Sequence, residues 1–365
     1  MPYQDRLSKL QSSLSKHEID ALIIDELTDI FYLTGLAVSL GRILVTKKEA
    51  FFLVDGRYIE TCKQKSPIPT VLAADHALVN LLDKTSPQIS RLGFDDNSTT
   101  YASYQRISKN LDKKCKNKVD LIPTSSPLKS IRLIKDSQEL IHLQKAADLG
   151  SQGFDYARSL LQLGIQEIDI ANEVEIFWKK NGAEKPAFEI NISFGENSAM
   201  PHHRAGTDKL QKNQIVLMDM GVTLKRYNSD MTRTLFYGEG SDKLKEIYEI
   251  VKTAQATALN CCKPGTTLGN LDQVSRQVIE DAGFGSYYTH SLGHGIGLEV
   301  HESPIIRNLG QHAEEILQPG MAVTIEPGIY LPGEGGVRIE DTILITETGH
   351  LNLSQRTKDL TQIKI

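Results

Sequence analysis

Two segments in the C-terminal half of the sequence share one design, in which acidic residues interrupt strongly apolar runs. Each segment is typical of a strand, a polar turn and a second strand, with one acid near the end of the first strand and another near the start of the second. An ionised carboxylate is costly to bury without a partner or a cation. The pattern therefore predicts two β-hairpins that bring four acids together if the hairpins face each other across one sheet. These acids are Asp219, Asp230, Glu326 and Glu340.

A histidine between glycines supplies a candidate fifth ligand. His294 lies in the run from Ser291 to Glu299, where Gly293 and Gly295 allow the backbone to come close to a site. The run lacks the preceding strand, the full glycine spacing and the following helix of a phosphate-binding loop. Hard divalent ions prefer oxygen ligands, and four carboxylates with one imidazole suit a pair of Mn²⁺, Co²⁺ or Zn²⁺ ions that share bridging acids.

The chain of 365 residues is long enough for two domains, because a domain usually has about 100 to 200 residues. A proline- and serine-rich break at 122–127 marks the boundary, and we expect domains at 1–128 and 129–365. The N-terminal part alternates helix and strand patterns, which indicates an α/β fold. Its predicted elements are a helix to about Lys16 and strands at 21–24, 43–45 and 50–54. The C-terminal part has four helical patterns, the first capped by Asp136 or Ser137, at 138–163, 168–181, 244–260 and 268–282.

The composition excludes several classes of function. A formal net charge of −5 argues against broad binding to nucleic acid, which needs clustered Lys and Arg. No run reaches the roughly 18 apolar residues of a membrane span, and the N-terminus lacks the unbroken apolar stretch of a secretory signal. The four cysteines have no spacing typical of a disulfide framework or a zinc ribbon. We therefore expect a cytoplasmic protein that binds neither nucleic acid nor membrane.

Five motifs of the C-terminal part resemble the metal-binding motifs of the prolidase and aminopeptidase P family, in the same order and at the same spacing. They are Met218–Gly221, Tyr227–Thr234, Gly293–Glu302, Ile325–Tyr330 and Gly336–Asp341. The segment Val54–Tyr58 is similar to the N-terminal domain of the same group. The resemblance implies a creatinase/prolidase-like α/β N-terminal domain and an α+β C-terminal "pita-bread" domain, with an antiparallel curved sheet covered by helices.

The resemblance also implies a role for each of the five candidate ligands. Asp219 resembles the acid that chelates the first metal, and Asp230 and Glu340 resemble the two bridging acids. His294 and Glu326 resemble the ligands of the second metal. All five ligand positions of the family are therefore present in this chain.

Further family positions fall near the expected substrate. His202 matches the histidine that lines the substrate pocket, and we expect His202 and His301 to donate hydrogen bonds to the substrate carbonyl or the tetrahedral intermediate. His290 and Arg338 also match positions near the substrate, although Arg338 could instead pair with one of the bridging acids. Phe194 lies where the family more often has a small residue, which would let it reshape the pocket.

The resemblance implies a metallo-exopeptidase that hydrolyses the Xaa-Pro bond in dipeptides or at the N-terminus of peptides. Two divalent ions, Mn²⁺ before Co²⁺ or Zn²⁺, would present a bridging hydroxide to the scissile carbonyl, and Glu326 would relay the proton to the proline nitrogen. The family commonly forms homodimers. The same fold is used by metal-free creatine-hydrolysing enzymes and by non-catalytic binding proteins, but the complete ligand set favours a peptidase. The choice between a dipeptidase and an aminopeptidase for longer peptides stays open.

Overall fold

The computed structural model describes residues 2–85 and 88–363. The chain forms two compact units that divide between Arg132 and Leu133. None of the helices in the described ranges is long and apolar enough to cross a membrane.

The N-terminal unit is built on a six-stranded sheet. Its strands are β1 (Ala21–Ile24), β2 (Arg42–Thr46), β3 (Ala50–Val54), β4 (Thr70–Leu72), β5 (Arg91–Asp95) and β6 (Asp120–Thr124). Their order is β4-β3-β2-β1-β5-β6, and β2 alone runs antiparallel to its neighbours. The helices are α1 (Pro2–Ser13), α2 (Leu27–Thr34), α3 (Ile59–Lys65), α4 (Ala77–Lys84), α5 (Tyr101–Lys114) and α6 (Pro127–Leu133).

The α/β pattern expected for this unit is confirmed. The three strands predicted from apolar runs are β1, β2 and β3, and the predicted N-terminal helix is α1 followed by a 3-10 turn at Leu14–His17. The predicted domain boundary after residue 128 lies within α6. All four residues of β1 are buried, which explains why its sequence is an unbroken apolar run rather than an alternating one.

The C-terminal unit contains four long helices that pack in two pairs. They are α7 (Ser137–Leu160), α8 (Glu167–Lys180), α9 (Asp242–Cys261) and α10 (Leu268–Asp281), with α7 against α8 and α9 against α10. These bounds agree with the four predicted helices to within about three residues, the usual uncertainty of helix ends. Asp136 is the cap of α7, because its carboxylate accepts the backbone N–H groups of Gln138 and Glu139 at 2.9 and 3.0 Å.

The strands of the C-terminal unit form several small sheets. A four-stranded sheet has the order β20-β12-β9-β8, and a five-stranded sheet has the order β14-β13-β15-β18-β19. A three-stranded sheet, β11-β10-β7, and the pair β16-β17 complete the set. The first seven strands are β7 (Lys185–Pro186), β8 (Asn191–Phe194), β9 (Gln214–Met220), β10 (Val222–Leu224), β11 (Tyr227–Asn228), β12 (Met231–Tyr237) and β13 (Gly293–Gly295). The others are β14 (Glu302–Ile306), β15 (Ala322–Ile325), β16 (Gly328–Leu331), β17 (Gly335–Arg338), β18 (Asp341–Ile345), β19 (His350–Asn352) and β20 (Gln362–Ile363).

Both predicted acid-bearing hairpins are present, but the expectation that they face each other across one sheet is wrong. β9 pairs with β12 in the four-stranded sheet, whereas β15 pairs with β18 in the five-stranded sheet. The two hairpins meet side by side: the Glu340 backbone N–H donates to the Thr232 carbonyl at 3.1 Å, and the Arg338 N–H donates to Thr234 Oγ1 at 3.2 Å. The acids converge because these edges adjoin.

Helix pairs cover the strands that carry the acids. One apolar cluster joins α7 and α8 to β8, β9 and β12, and its largest fully buried side chain is Trp178. The indole N–H of Trp178 donates to the Leu149 carbonyl at 3.0 Å, which satisfies its polar atom. Two further clusters join α9 and α10 to the strands of the second hairpin. The arrangement of antiparallel strands packed against helices confirms the predicted α+β class.

Candidate metal centre

The first hairpin places two acids at one end of its strands. Asp219 is the last residue but one of β9, and Asp230 immediately precedes β12. The antiparallel register sets Asp219 directly opposite Thr232, so these two side chains lie on the same face of the hairpin. That face also carries the neighbouring acid of the second hairpin, because the Thr232 hydroxyl donates to Glu340 Oε2 at 2.6 Å.

The second hairpin is interrupted where its acids lie. Glu326 follows the last residue of β15, and Glu340 is the second of two residues between β17 and β18. Neither acid takes part in the regular pairing of these strands. The residues just before the acids, Ile325 and Ile339, belong to the apolar clusters under α9 and α10.

His294 is the middle residue of the short strand β13, and its glycine neighbours are required by packing. A side chain at Gly293 would overlap the backbone oxygen of Thr324, and one at Gly295 would overlap the backbone oxygen of Ser303. The glycines therefore let adjacent strands approach β13 closely. The His294 imidazole is fixed by Nδ1, which lies 3.0 Å from the Gly295 carbonyl oxygen, and this leaves Nε2 toward the acids.

The predicted ligands converge in space. One ligand atom each from Asp230, His294 and Glu340 lies within 4.8 Å of the others, a spacing that could hold a metal ion. His294 Nε2 is 3.7 Å from Asp230 Oδ2 and 3.3 Å from Glu326 Oε1. Asp219 lies beside the same group, since its charge acts on the pKa of both Asp230 and Glu340.

Two oxygen atoms of this cluster are buried without a hydrogen-bond partner. Among residues 2–85 and 88–363, neither Asp219 Oδ1 nor Glu340 Oε1 has a donor within hydrogen-bonding distance. Buried polar atoms in native proteins are almost always satisfied, so unpartnered carboxylate oxygens in a cluster indicate a bound cation. The four acids and His294 therefore fit divalent metal ions.

Burial, together with mutual repulsion, raises the pKa values of three of the acids in the metal-free chain. Burial is the largest cause for Asp230 and Glu340, whose pKa values lie well above the usual range, and the charges of neighbouring carboxylates add to it. Burial also raises the pKa of Asp219, although the nearby Arg338 opposes this. A cluster that resists ionisation on its own is one that positive ions stabilise.

Glu326 behaves differently because it faces His294. Burial opposes its ionisation, but the hydrogen bond and positive charge of His294 outweigh burial and lower the pKa of Glu326 to about 2. The pKa of His294 is raised in return, since the hydrogen bond and charge of Glu326 overcome the burial of the imidazole. In the metal-free chain, the charge of the Glu326 carboxylate is therefore compensated by the His294 imidazole.

Arg338 is buried, and each of its three guanidinium nitrogens has a hydrogen-bond partner. Its Nη2 lies 2.6 Å from Asp219 Oδ2, its Nη1 donates to the Tyr330 hydroxyl at 2.8 Å, and its Nε donates to Thr232 Oγ1 at 3.0 Å. Arg338 therefore pairs with Asp219, the acid that resembles the chelator of the first metal, and which acids bridge the metals stays a prediction. A contact of Arg338 with substrate stays a prediction.

The three further histidines lie at different depths around the cluster. His290 is held by Nε2, 2.9 Å from the Tyr330 hydroxyl, and burial lowers its pKa. His301 is exposed, and its ring centroid is 4.4 Å from that of His294. Partial burial, then the positive charge of His294, lowers the pKa of His301, and the charge of His202 adds a smaller effect. His202 is exposed on the same side, close enough to act on His301.

Three residues of the site were missing from the sequence-based prediction. Thr232 and Tyr330 connect Arg338 to the acids and to His290, as described above. Thr324 Oγ1 donates to Glu326 Oε1 at 3.1 Å and accepts the His294 N–H at 3.1 Å. One signal was available: Thr324 stands two residues before Glu326, and strand alternation places such residues on the same face.

Phe194 does not line the site. Its side chain is 3 % exposed and belongs to the apolar cluster under α7 and α8. The expectation that Phe194 reshapes the substrate pocket is therefore wrong, because a large side chain at the end of β8 fills the core.

Comparison with known families decides the assignment. Residues 142–347, more than half of the chain, match the model described as metallopeptidase family M24, and residues 6–134 match the creatinase/prolidase N-terminal domain. The chain belongs to metallopeptidase family M24. Membership in this family implies divalent metal ions, in agreement with the unpartnered oxygens of the acid cluster.

Individual relatives cover the chain from end to end. The Xaa-Pro dipeptidase of Pyrococcus horikoshii is 37% identical over 98% of this chain and 98% of its own length. The structure of the Xaa-Pro dipeptidase from Bacillus anthracis has a TM-score of 0.93 and 36% identity, covering 99% of this chain and all (100%) of that one. The X-Pro aminopeptidase from Thermotoga maritima has a TM-score of 0.86 at 30% identity, over 96% of this chain and 100% of that one. The M24 chain described here is therefore a metallo-exopeptidase.

Proposed function

We propose that this enzyme hydrolyses the Xaa-Pro bond, in dipeptides or at the N-terminus of longer peptides, with two divalent metal ions. The observation that carries the proposal is the buried group of four carboxylates and one imidazole, in which Asp219 Oδ1 and Glu340 Oε1 have no partner among the described residues. Similarity to proteins named Xaa-Pro dipeptidase and X-Pro aminopeptidase supports the substrate class.

The ligands divide between two ions in this proposal. When bound, the first ion would be held by Asp219 and the second by His294 and Glu326, and Asp230 and Glu340 would be ligands of both. An oxygen-rich set with one imidazole suits Mn²⁺, which we propose as the physiological metal ahead of Co²⁺ or Zn²⁺. When bound, the ions would supply Lewis-acid chemistry, which makes water nucleophilic at neutral pH and polarises a carbonyl group.

The chain's own groups move the protons and bind the substrate. Glu326 would accept the proton of the attacking water and pass it to the proline nitrogen. His202 and His301 donate hydrogen bonds to the oxygen that gains negative charge as the carbonyl is attacked. His290 and Arg338 hold the substrate, and their mutual contact through the Tyr330 hydroxyl keeps both in place.

The surroundings of the enzyme are also part of the proposal. We propose that it acts in the cytoplasm as a homodimer, with residues 129–365 as the catalytic domain and residues 1–128 as the creatinase/prolidase-like domain. Free cysteines are consistent with a reducing compartment, and all four are free.

One experiment tests both the chemistry and the substrate range. The purified protein is stripped with a chelator, loaded with Mn²⁺, Co²⁺ or Zn²⁺ singly, and assayed on an Xaa-Pro dipeptide and an Xaa-Pro-Yaa-Zaa peptide side by side. We expect no hydrolysis after stripping and recovery with two ions per chain. Cleavage of the dipeptide alone defines a dipeptidase, and cleavage of both defines an aminopeptidase. If every metal-loaded form leaves both peptides intact, the proposed function is wrong.

A further inference from the structure

The loop that carries His202 is anchored by a carboxylate outside the acid cluster. This loop, residues 195–213, connects β8 to β9. Glu167, the first residue of α8, has no solvent exposure. Its Oε1 atom accepts the Phe194 backbone N–H at 2.8 Å and Asn197 Nδ2 at 2.9 Å, which fixes the start of the loop.

The second oxygen of Glu167 reaches a later part of the same loop. Its Oε2 atom is 2.8 Å from His203 Nε2 and accepts the Gly206 backbone N–H at 3.0 Å. An ionised carboxylate offers about four acceptor positions, and here four donors use them. A completely buried carboxylate is stable only when it is hydrogen-bonded and paired in this way.

Two more hydrogen bonds fix the chain immediately around His202. The His203 backbone N–H donates to the Met200 carbonyl at 3.0 Å, and Asn191 Nδ2 donates to the Pro201 carbonyl at 3.2 Å. The imidazole of His203 is 12% exposed, since it turns toward the buried carboxylate. The imidazole of His202 turns outward, so two adjacent histidines face opposite environments.

We propose that Glu167 is a positioning residue, which fixes the His202 imidazole through the backbone of its loop and through His203. The inference rests on the proposed function, in which His202 binds the substrate carbonyl. It assigns His203 to the protein interior, where it contacts Glu167 and not the substrate. Neither Glu167 nor His203 contacts the acid cluster in this arrangement, so their effect on turnover passes through His202.

The substitution E167Q tests this role with little change of volume. A side-chain amide accepts with one oxygen only, and its NH₂ group meets N–H donors where the second oxygen stood. The amide would therefore accept from only two of the four groups that contact Glu167, which belong to Phe194, Asn197, His203 and Gly206. The matched control is D169N, which makes the same change of charge in the same helical turn. Asp169 accepts the Gln166 N–H at the start of α8 and makes no contact with the loop, so this change should leave the loop in place.

The rate of tryptic cleavage after Arg204 measures how well ordered the loop is, independently of catalytic activity. The Arg204 side chain is 81% exposed, so cleavage there is limited by the backbone and not by access of the side chain. We expect E167Q to accelerate cleavage after Arg204 by at least about tenfold, while cleavage after Lys225, in the β10–β11 turn, stays unchanged. D169N should accelerate cleavage at neither of these two sites. Equal rates after Arg204 in E167Q, D169N and the unmodified enzyme would overturn the inference.

Kinetics of the metal-loaded enzyme then identify the residue through which Glu167 acts. We expect E167Q to lower kcat/KM for an Xaa-Pro peptide about 10- to 100-fold, because a displacement of about 1 Å in a catalytic group has an effect of this size. In an H202A background the same substitution should change kcat/KM by less than about twofold, since coupled residues are not additive. H203Q, which can still donate from Nε2, should retain activity that H203A loses.

The outcomes separate this inference from the function on which it rests. If E167Q lowers kcat/KM by the same factor with and without His202, Glu167 acts elsewhere and the inference is wrong. If H202A alone has no effect, nothing remains to be positioned and the inference is equally wrong, although Xaa-Pro hydrolysis stands. If the unmodified enzyme cleaves no Xaa-Pro peptide, the proposed function fails, and the comparison of tryptic rates still decides whether Glu167 orders the loop.

Discussion

Glu340 and Asp341 are adjacent in the chain and almost completely buried, yet their surroundings are opposite. Asp341 faces cations: its carboxylate lies 2.6 Å from Arg233 Nη2 and 2.8 Å from Lys358 Nζ, and it accepts Gln255 Nε2 at 3.1 Å. Burial acts against ionisation, but these positive charges prevail and lower the pKa of Asp341. The chain itself neutralises this acid.

Glu340 faces other acids instead. Its Oε2 accepts the Thr232 hydroxyl, its Oε1 has no partner within the described ranges, and burial with neighbouring carboxylates holds its pKa well above the usual value. The comparison teaches that burial alone does not mark a metal ligand. What distinguishes Glu340 from Asp341 is that no cationic side chain in the described part of the chain contacts its carboxylate.

The cation that pairs with Asp341, Arg233, also connects distant parts of the chain. Arg233, in β12, hydrogen-bonds several backbone carbonyls, and so ties β12 and Glu340 to the C-terminal segment. The acceptors are those of Thr232, Glu340, Ser354, Arg356 and Thr357. In β12, Arg233 therefore contacts the C-terminal segment, whereas the adjacent Thr232 contacts the acid cluster.

The largest expected effect comes from removing a ligand. E340A or H294A should abolish hydrolysis, by far more than the roughly 100-fold loss typical of residues that only support a ligand. The metal-free fold should persist, since E340A also removes a source of repulsion. Activity, metal content and circular dichroism of the purified variants check this. Full turnover in either variant would remove it from the ligand set.

Substitution of the neighbouring acid, Asp341, should mainly reduce the stability of the fold. D341N leaves the buried Arg233 with its charge uncompensated, so we expect the free energy of unfolding of the metal-free protein to fall by about 3 to 5 kcal/mol. Urea denaturation measures the loss, with E340Q as the control of equal chemistry one residue away. Equal stability of D341N and E340Q would break the distinction between the two acids.

A smaller effect is expected from the hydroxyl group that supports Glu340. T232V keeps the shape of the side chain but removes the donor to Glu340 and the acceptor of Arg338, and should weaken metal binding about 10- to 100-fold. T223V is the control, since Thr223 is a buried threonine that donates to Asn228 away from the acids. Titration with Mn²⁺ under competition by a chelator gives the affinities. Similar Mn²⁺ affinities of T232V and T223V would show that the Thr232 hydroxyl does not support the metal site.

The smallest effect is on the pH dependence of stability. Asp230 and Glu340 have folded pKa values above their unfolded ones, so the folded state binds more protons, and metal-free stability should fall as pH rises from about 5 to 8. Asp341 has the opposite sign and loses its contribution only in acid, below its ordinary range of about 4. The slope should stay below about 1.4 kcal/mol per pH unit for each proton released.

Denaturation midpoints across this range test the sign. E340Q should have a flatter profile than the unmodified protein, and saturating metal should remove the fall. A metal-free stability that rises between pH 5 and 8 would contradict the repulsion inferred for the cluster.

Much of the fold follows from local patterns. The four helices of the C-terminal unit were predicted nearly to their ends, because amphipathic spacing and a capping residue such as Asp136 are local signals. Strands β1 and β3 were predicted to the residue from apolar runs. The shorter elements, including β4 and β20, were missed, since strands of two or three residues carry almost no periodic signal.

The site was predicted less evenly. The five proposed metal ligands were predicted because acids in apolar strands and a glycine-flanked histidine stand out in the sequence. Thr324 and Tyr330 were missed because a hydroxyl group beside an acid or a histidine is unremarkable until the partner is placed. Phe194 was misjudged, because sequence does not tell which face of β8 turns toward the core.

The sequence by itself determined the two kinds of unit, the long helices, the hairpins and the identity of the buried acids, since each depends on residues near one another in the chain. Only the tertiary structure decided which cation lies beside which acid. It paired Arg338 with Asp219 and Arg233 with Asp341, over more than one hundred residues in each case. Charge compensation acts through space, and it is therefore fixed by packing and not by local sequence.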